Sequence, residues 1–131
     1  MSLREMVSRK VVELPDGEEK VLVFSAVEVN DLSTGEVVRL TGPVDLDRYG
    51  TFPMELTNPR TGFLVRIPGV RFWVSEVNGE KVERPLNVVS KGLIGQLHGD
   101  LASGEIFRTR YAITAVGAPP RTEYQVKRTP L

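Results

Sequence analysis

Side chains that could carry out chemistry are few in this sequence. His98 is the only histidine, and the 131 residues include no cysteine. Zinc sites and nucleophilic catalysis both need several such groups at close quarters, so the sequence argues strongly against zinc enzymes and against cysteine or serine–histidine catalysis. We expect His98, which lies between Leu97 and Gly99, to be a loop residue and not a general base.

Carboxylates occur in pairs, but their setting is that of turns. Asp45 and Asp47 would share one face of an extended segment, and Asp100 and Glu105 flank a glycine-containing turn. A glycosidase needs two carboxylates across a cleft, and a cation site needs several converging oxygens. We therefore interpret all four as turn and rim residues, and we predict no catalytic, metal-binding or cofactor-binding site.

Motifs that bind phosphate or nucleotides are also missing from the sequence. It contains neither G-x-x-x-x-G-K-[ST] nor G-x-G-x-x-G. Gly92-Leu-Ile-Gly95 matches only the bare G-x-x-G of KH loops, and its two middle residues are apolar rather than basic. An enzyme is therefore the class of protein that we expect least.

Basic and aromatic residues alternate near the C-terminus, which is the one pattern that favours nucleic acid. Residues 105–116 are predicted to form a long strand, and 121–128 follow in the tail. The residues concerned are Arg108, Arg110, Tyr111, Arg121, Tyr124, Lys127 and Arg128. Such interleaving on a β surface is how OB-type folds hold single strands. The other interpretation is a solvated strand face and a tail that contacts the acid-rich first half of a neighbouring subunit.

Residues 63–86 hold the strongest structural signal and the only tryptophan. Asn78-Gly79 separates two strand-like runs, and this dipeptide favours the type I′ turn of a two-residue hairpin. The predicted register places Trp73 opposite Arg84, where a cation–π pair could form. Trp73 is then either a stacking platform for a base or sugar, or a half-buried residue under Arg84, which is the interpretation that we favour.

Prolines and glycines set the expected limits of these strands. Pro85 should end the hairpin, because it has no N–H to donate; the alternative is that 86–89 extend its last strand. Pro68-Gly69 predicts a second tight turn, which would make 63–67 a separate strand of the same meander. The two-residue loop also predicts the cross-strand pairs Val77–Glu80, Glu76–Lys81 and Ser75–Val82.

Short strand-like runs recur along the chain, with turn signals between them. About eight strands without βαβ alternation indicate an antiparallel β-sandwich or small β-barrel. Only 90–101 has a helical spacing of leucines, and three glycines weaken a helix there by about 1 kcal/mol each, so a short helix and a docked loop are alternatives. The predicted single domain has an N-terminal arm (1–10), a β core (11–116) and a C-terminal arm or last strand (117–131).

Length and charge indicate one soluble domain. The 17 Lys and Arg residues equal the 17 Asp and Glu residues, so no global basic field gathers nucleic acid. No apolar run reaches the roughly 18 residues that span a bilayer, and the first ten residues lack an apolar signal core. We therefore expect a cytoplasmic or virion protein without membrane contact. The 12 arginines against 5 lysines fit a thermophilic source, and a high-GC genome would give the same bias.

Together these observations favour a non-enzymatic structural protein. We expect a homo-oligomer that assembles through β surfaces and terminal arms, with itself and other assembly subunits as partners, and with the tail adding a strand to a neighbour. A virion component, such as a capsid decoration or tail protein of a thermophile virus, fits this expectation. The alternative is a small OB-like barrel that binds single-stranded nucleic acid through the basic and aromatic residues named above, with Trp73 and Arg84 as further members of the surface.

Overall fold

The computed structural model describes residues 11–58, 60–118 and 121–131, which contain eight strands, one α-helix and one short 3-10 helix. Strands make up 55% of the described residues and helix 14%, and the strands form one antiparallel sheet, which confirms the all-β class with a single short helix. The predicted N-terminal arm lies outside the described residues. The strands are β1 (Glu19–Asp31), β2 (Val37–Leu40), β3 (Tyr49–Gly50), β4 (Phe52–Thr57), β5 (Leu64–Val77), β6 (Glu80–Val88), β7 (Thr109–Val116) and β8 (Glu123–Pro130). The helices are α1 (Lys91–Ser103) and η1 (Glu105–Phe107).

β1 is the strand to which most of the sheet is attached. Its first residues pair with β7, its middle pairs with β5, and its last residues pair with β2 and β3. Two register irregularities, next to Phe24, bend the strand between these partners. The sheet order is β4-β5-β1-β7-β8, with β6 beside β5. The central position of β1 explains why its run from Val21 to Phe24 is continuously apolar.

One face of the sheet carries the hydrophobic core, and α1 covers that face. The rings of Phe24, Phe72 and Tyr111 meet there, with the centroids of Phe72 and Tyr111 at 5.0 and 5.4 Å from that of Phe24. A stripe along one side of the helix packs against these rings and the neighbouring aliphatic residues. The residues of this stripe are Leu93, Leu97 and Leu101.

The segment predicted as helix or docked loop is a helix. Ser90 caps its N-terminus, because the Ser90 Oγ accepts the N–H of Leu93 at 3.2 Å. Gly104 ends it in the left-handed conformation, with a φ of 82° that glycine adopts without strain. The buried leucine stripe stabilises the helix against the cost of its internal glycines, since helices in proteins are stabilised mainly by packing.

The β5–β6 hairpin has the predicted turn. Asn78 and Gly79 both have positive φ, at 50° and 83°, as a type I′ turn requires. The first two predicted cross-strand pairs are present, namely Val77–Glu80 and Glu76–Lys81.

Beyond the turn, a bulge changes the predicted register. It lies between Val74 and Glu76, so Trp73 is opposite Pro85, and Arg84 is opposite Val74. The predicted Trp73–Arg84 pair is wrong, because the two side chains lie on opposite faces of the sheet. The predicted Ser75–Val82 pair falls at the bulge and does not form.

Pro85 does not end the pairing of β6 with β5, and of the two predicted alternatives the extension of the strand past Pro85 is the one that forms. The strand continues to Val88. The carbonyl of Pro85 accepts the N–H of Val12 at 2.8 Å, so the backbone groups of this residue point away from β5, to the outer edge. The missing N–H would point the same way, and the ladder to β5 therefore loses no hydrogen bond.

Pro68-Gly69 lies within β5 and forms no turn, so the tight turn predicted there is wrong. The first half of β5 pairs with β4, and the second half pairs with β1 and β6. A Cβ on Gly69 would lie 2.6 Å from the Met54 Sδ and 2.7 Å from the Val88 carbonyl oxygen. Glycine therefore lets β5 change partners where three strands approach closely.

The C-terminal segment is the last strand, the second of the two predicted alternatives. β7 begins at Thr109 and not at 105, because η1 precedes it. β8 then pairs along its whole length with β7 of the same chain. The expected docking arm is thus an edge strand of its own chain's sheet.

Candidate interaction surface

Two residues predicted for the surface instead join the sheet to the helix. Tyr111 is fully buried, and its hydroxyl donates to the Asp100 Oδ2 at 2.6 Å. Arg128 donates from Nε to the same oxygen at 2.8 Å and from Nη2 to the Gln96 carbonyl at 2.6 Å. Placing Tyr111 on an exposed nucleic-acid surface was wrong, because its position on β7 faces the core. Asp100, predicted in a turn, is a helical residue.

The electrostatics of this contact keep Asp100 charged and Tyr111 neutral. Burial alone would raise the pKa of Asp100, but hydrogen bonds from Arg128 and Tyr111 outweigh it and hold the pKa below its usual value. Burial, and then the hydrogen bond to Asp100, raises the pKa of Tyr111. The charge of Arg128 is thus satisfied within its own chain.

The other basic and aromatic residues of the predicted surface are separated. Arg108 precedes β7 instead of sharing it, and Arg108 and Arg110 each lie within 4 Å of a carboxylate of their own chain, at 3.7 and 3.5 Å. Arg121 and Lys127 are exposed before and on β8. Tyr124 is half-buried against the core. The predicted set therefore does not form one continuous basic and aromatic surface.

Trp73 lies on the outer face of the sheet, where its polar atom and its ring are both engaged. The indole Nε1 donates to the Glu28 carboxylate, which also pairs with Arg71 at 3.3 Å. The guanidinium carbon of Arg39 lies 4.9 Å from the ring centroid. Trp73 is thus half-buried beneath an arginine, but that arginine is Arg39 and not Arg84.

Three of the recesses in the described surface are each lined in part by charged residues. Arg84 shares one recess with Glu13 and Lys20. Glu76 and Arg110 line another. The third, of about 240 Å³, lies between β6 and the start of α1 and includes Glu13. None of the three contains a group of converging polar side chains that would orient a small ligand.

A hairpin formed by β4 and the first half of β5 carries an apolar face that the sequence analysis missed. We name residues 52–58 and 60–69 the hairpin arm. Residues that lie directly opposite each other in β4 and β5 have their side chains on the same face. Because side chains alternate between the two faces along each strand, six apolar residues lie on one face. The residues of this apolar face are Phe52, Met54, Leu56, Phe63, Val65 and Ile67.

The apolar face is buried at the base of the hairpin arm and exposed toward its tip. Phe52 and Met54, at the base, are 7% and 2% exposed, whereas Ile67 is 37% and Phe63 is 73% exposed. The base packs against the domain, where the guanidinium carbon of Arg71 lies 5.7 Å from the centroid of the Phe52 ring. Leu56 and Val65 are half-buried, so the apolar surface that the described part of the chain leaves exposed lies mainly at Phe63 and Ile67.

The opposite face of the hairpin arm is mixed, with a charged pair, Thr57, Leu64 and two prolines. Glu55 and Arg66 oppose each other across the strands, and the Arg66 Nη2 lies 3.0 Å from the Glu55 Oε1. The period-two alternation of polar and apolar residues was a usable signal in the sequence. It was missed because a turn was assigned to Pro68-Gly69, which separated this hairpin from the strand that continues it.

The remaining candidates for chemistry are dispersed. The Asp45 Oδ1 accepts the N–H of Asp47 at 3.0 Å within one turn, and His98 is exposed on α1 rather than in a loop. Among the described residues, no three His, Cys, Asp or Glu side chains converge as a metal site. In the same part of the chain, no helix has both the length and the apolar character needed to cross a membrane.

No protein-family model, no curated protein and no solved structure matches the chain. Function is therefore inferred from the surface of the described residues. Of the features described above, the apolar face of the hairpin arm is the one that its own chain leaves uncovered.

Proposed function

We propose that this chain is a non-enzymatic structural protein that works as a homo-oligomer, joined through its β surfaces. The observation that carries the proposal is the uncovered outer half of the apolar face. A two-stranded hairpin alone is at best marginally stable in water, and contiguous exposed apolar surface is typical of an interaction site. Contact with another subunit would cover this face and stabilise the arm.

A particle built from many copies is the kind of assembly that the proposal favours. Small all-β domains are common building blocks of viral capsids, and we propose a capsid decoration or tail protein of a thermophile's virus. The excess of arginine over lysine and the few amides support a thermophilic source. An unfolding midpoint in the ordinary mesophilic range, about 45–65 °C, would contradict the thermophilic part.

Binding of single-stranded nucleic acid, the alternative, has less support. Tyr111 lies in the core, and Arg128 donates a hydrogen bond to Asp100. Of the C-terminal residues predicted to bind bases, only Tyr124 and basic residues that lie apart from one another are left. We expect titration with a single-stranded oligonucleotide to show no saturable binding. Micromolar binding that weakens steeply as salt rises would favour the alternative.

Light scattering after size exclusion tests the homo-oligomer. We expect the full chain to have at least twice its monomer mass of 14.6 kDa. Phe63→Ser removes an exposed aromatic side chain from the apolar face and should weaken association by about tenfold or more, the effect of losing about 1.5–3 kcal/mol of apolar burial. A full chain that stays monomeric at its highest soluble concentration would contradict the proposal.

Leu64→Ser is the matched control for this experiment. Leu64 is 69% exposed, close to the 73% of Phe63, but it lies on the opposite face of the arm, across from Thr57. We expect this variant to associate like the parent chain. Both substitutions are at exposed positions, so equal unfolding midpoints at low concentration should show that neither disturbs the fold.

A further inference from the structure

We infer that the surface covering the apolar face is the same face of a second copy, related by a two-fold axis that makes the two hairpin arms antiparallel. This inference rests on the proposed function, because it requires a homo-oligomer, and it adds which surfaces meet. The tip of each arm would then lie over the base of the other. The uncovered half of each apolar face would be covered by its counterpart.

The three recesses described above do not suit the apolar face as receiving sites. Each contains at least one ionisable side chain, such as Glu13, Glu76 or Lys20. Inserting Phe63 beside such a group would remove a charged side chain from water, which is costly. A two-fold contact of the face with itself needs no separate receiving site, since the same patch serves on both subunits.

The charges of the hairpin arm leave its apolar face free to pair with itself. All six side chains of the face are apolar, so two copies meet there without like-charge repulsion. Glu55 and Arg66, on the opposite face, are already paired with each other. A strongly charged partner would therefore find little on this face to recognise.

Two facing prolines impair strand addition at the base of the hairpin arm. Pro53 lies directly opposite Pro68. Two opposed prolines cannot exchange N–H···O bonds, so this is a pair of the non-hydrogen-bonded kind, in which the backbone groups of both residues point outward. Each outer edge therefore lacks a donor near the base, which disfavours main-chain pairing with a further strand there and favours association through the face.

The area that a stable interface requires argues for the antiparallel orientation. Six residues at about 3.4 Å each, in two strands about 4.8 Å apart, form a ribbon only about 20 Å long and 10 Å wide. A standard interface buries about 800 Å² on each partner, so more than the ribbon must take part. Antiparallel arms bring in the base, where Leu32 packs beside Gly50 and is 59% exposed, and where Leu46 is 43% exposed.

Charges at the two ends of the hairpin arm favour the same orientation. Arg60 lies in the turn at the tip, and Asp45 and Asp47 lie in the turn that precedes β3 at the base. Antiparallel arms place the arginine of each copy near the acidic turn of the other. Parallel arms would bring the two arginines together, which like-charge repulsion opposes.

Cross-linking tests which faces meet, and the absence of cysteine from the sequence makes single cysteine variants unambiguous. Val65 lies near the middle of the apolar face, so Val65→Cys should place two thiols close to the two-fold axis. We expect a short bismaleimide to convert this variant to covalent dimer. Thr57→Cys, on the opposite face, is the control and should give little dimer under the same conditions.

A charge exchange tests the antiparallel orientation. Arg60→Glu should weaken association by about threefold to tenfold, because an exposed ion pair becomes a like-charge contact. Adding Asp47→Lys should restore most of the loss, because the two ends then attract again. Asp47 is the better choice at the base, because Asp45 uses its side chain to hold the turn.

The outcomes separate this inference from the proposed function. A monomeric full chain in light scattering overturns both. An oligomer in which Val65→Cys fails to cross-link, or in which Thr57→Cys cross-links equally well, overturns the pairing of apolar faces and leaves the homo-oligomer standing. Cross-linking through Val65→Cys without rescue of Arg60→Glu by Asp47→Lys overturns the antiparallel orientation.

Discussion

At the scale of single residues, one carboxylate joins the helix to the last two strands of the sheet. Tyr111 and Arg128 both donate to the Asp100 Oδ2, at 2.6 and 2.8 Å. A buried hydroxyl without a partner would cost free energy, and a hydrogen bond to a charged acceptor is stronger than one between neutral groups. This small cluster therefore contributes to stability and fixes the position of α1 on the core.

Tyr111→Phe tests this contribution. The substitution keeps the ring and removes the hydroxyl that donates to Asp100, so we expect the free energy of unfolding to fall by about 1–2 kcal/mol. Tyr124→Phe is the matched control, because Tyr124 is half-buried and its hydroxyl has no hydrogen-bond partner among the described residues. We expect the control to change stability by less than about 0.5 kcal/mol in chemical denaturation. Equal effects of the two substitutions would contradict the role given to Asp100.

Asp31 predicts a dependence of stability on pH. Hydrogen bonds from Ser33, and then from Arg48, lower the pKa of Asp31 from 3.8 to about 2. Because the folded-state pKa is the lower one, the resulting stability is fully present above the unfolded value and is lost as pH falls from about 4 to about 2. Asp31→Asn should therefore lower the unfolding midpoint at pH 7, and its difference from the parent chain should shrink over that range. A difference that does not vary with pH would contradict this assignment.

The sequence predicts which side chains of a strand face the core only when the alternation of side chains between its two faces is applied to every residue. Arg108 and Arg110 alternate with Thr109 and Tyr111, which places the tyrosine on the face opposite the arginines. Grouping all of them as one binding surface ignored that alternation. The pairing of Trp73 with Glu28 and Arg39 joins strands that are distant in sequence, and no local pattern indicates it.

At the scale of elements, the change of partners within β5 depends on one glycine. Gly69→Ala would place a methyl group against the Met54 Sδ and the Val88 carbonyl oxygen, at 2.6 and 2.7 Å. The backbone oxygen cannot move without disturbing β6, so we expect the free energy of unfolding to fall by about 1–3 kcal/mol.

The control for this prediction is the same change in α1. A Cβ on Gly95 would have no neighbour within 4 Å, so Gly95→Ala should raise stability by up to about 1 kcal/mol through helix propensity alone. Chemical denaturation of the two variants measures both effects. If both substitutions changed the free energy of unfolding equally, the close approach of neighbouring atoms to Gly69 would not be the cause of the destabilisation by Gly69→Ala.

Element boundaries were predictable where the signal is local and not where it depends on packing. Asn78-Gly79 predicts its turn from the φ angles that these residues tolerate. The bulge after Val74 and the outward orientation of Pro85 depend on how β5 and β6 lie against other strands. For the same reason Pro68-Gly69, a turn by local rules, is part of a continuous strand.

At the scale of the whole molecule, the C-terminal strand is part of the fold. Truncation after Val116 removes β8, which is one of the two strands that pair with β7. It also removes Arg128, whose guanidinium donates to Asp100. We expect the truncated chain to lose its near-UV circular dichroism and its cooperative unfolding, and not simply to dissociate. A folded, monomeric truncated chain would instead make the tail a separable arm, as the sequence had indicated.

The fold class was predictable because it depends on features spread along the whole chain. Alternating strands, frequent turn signals and a single leucine stripe all indicate an antiparallel sheet with one short helix. The surface was less predictable, because the apolar face of the hairpin arm depends on the pairing of two strands in three dimensions. Residues such as Phe63 and Ile67 have ordinary core composition, and only the structure shows that they are exposed on the hairpin arm.

The central position of β1 has a consequence for how the protein is made. Leu22 pairs with Tyr111, so at about 5–20 residues per second the ribosome needs about 5–20 s to supply the roughly 90 residues between them. Throughout this interval the most apolar strand of the protein has emerged without one of its neighbours. We therefore expect the soluble yield to rise when translation is slowed or when chaperones that hold nascent chains are supplied, and purified full-length chains to refold slowly from denaturant.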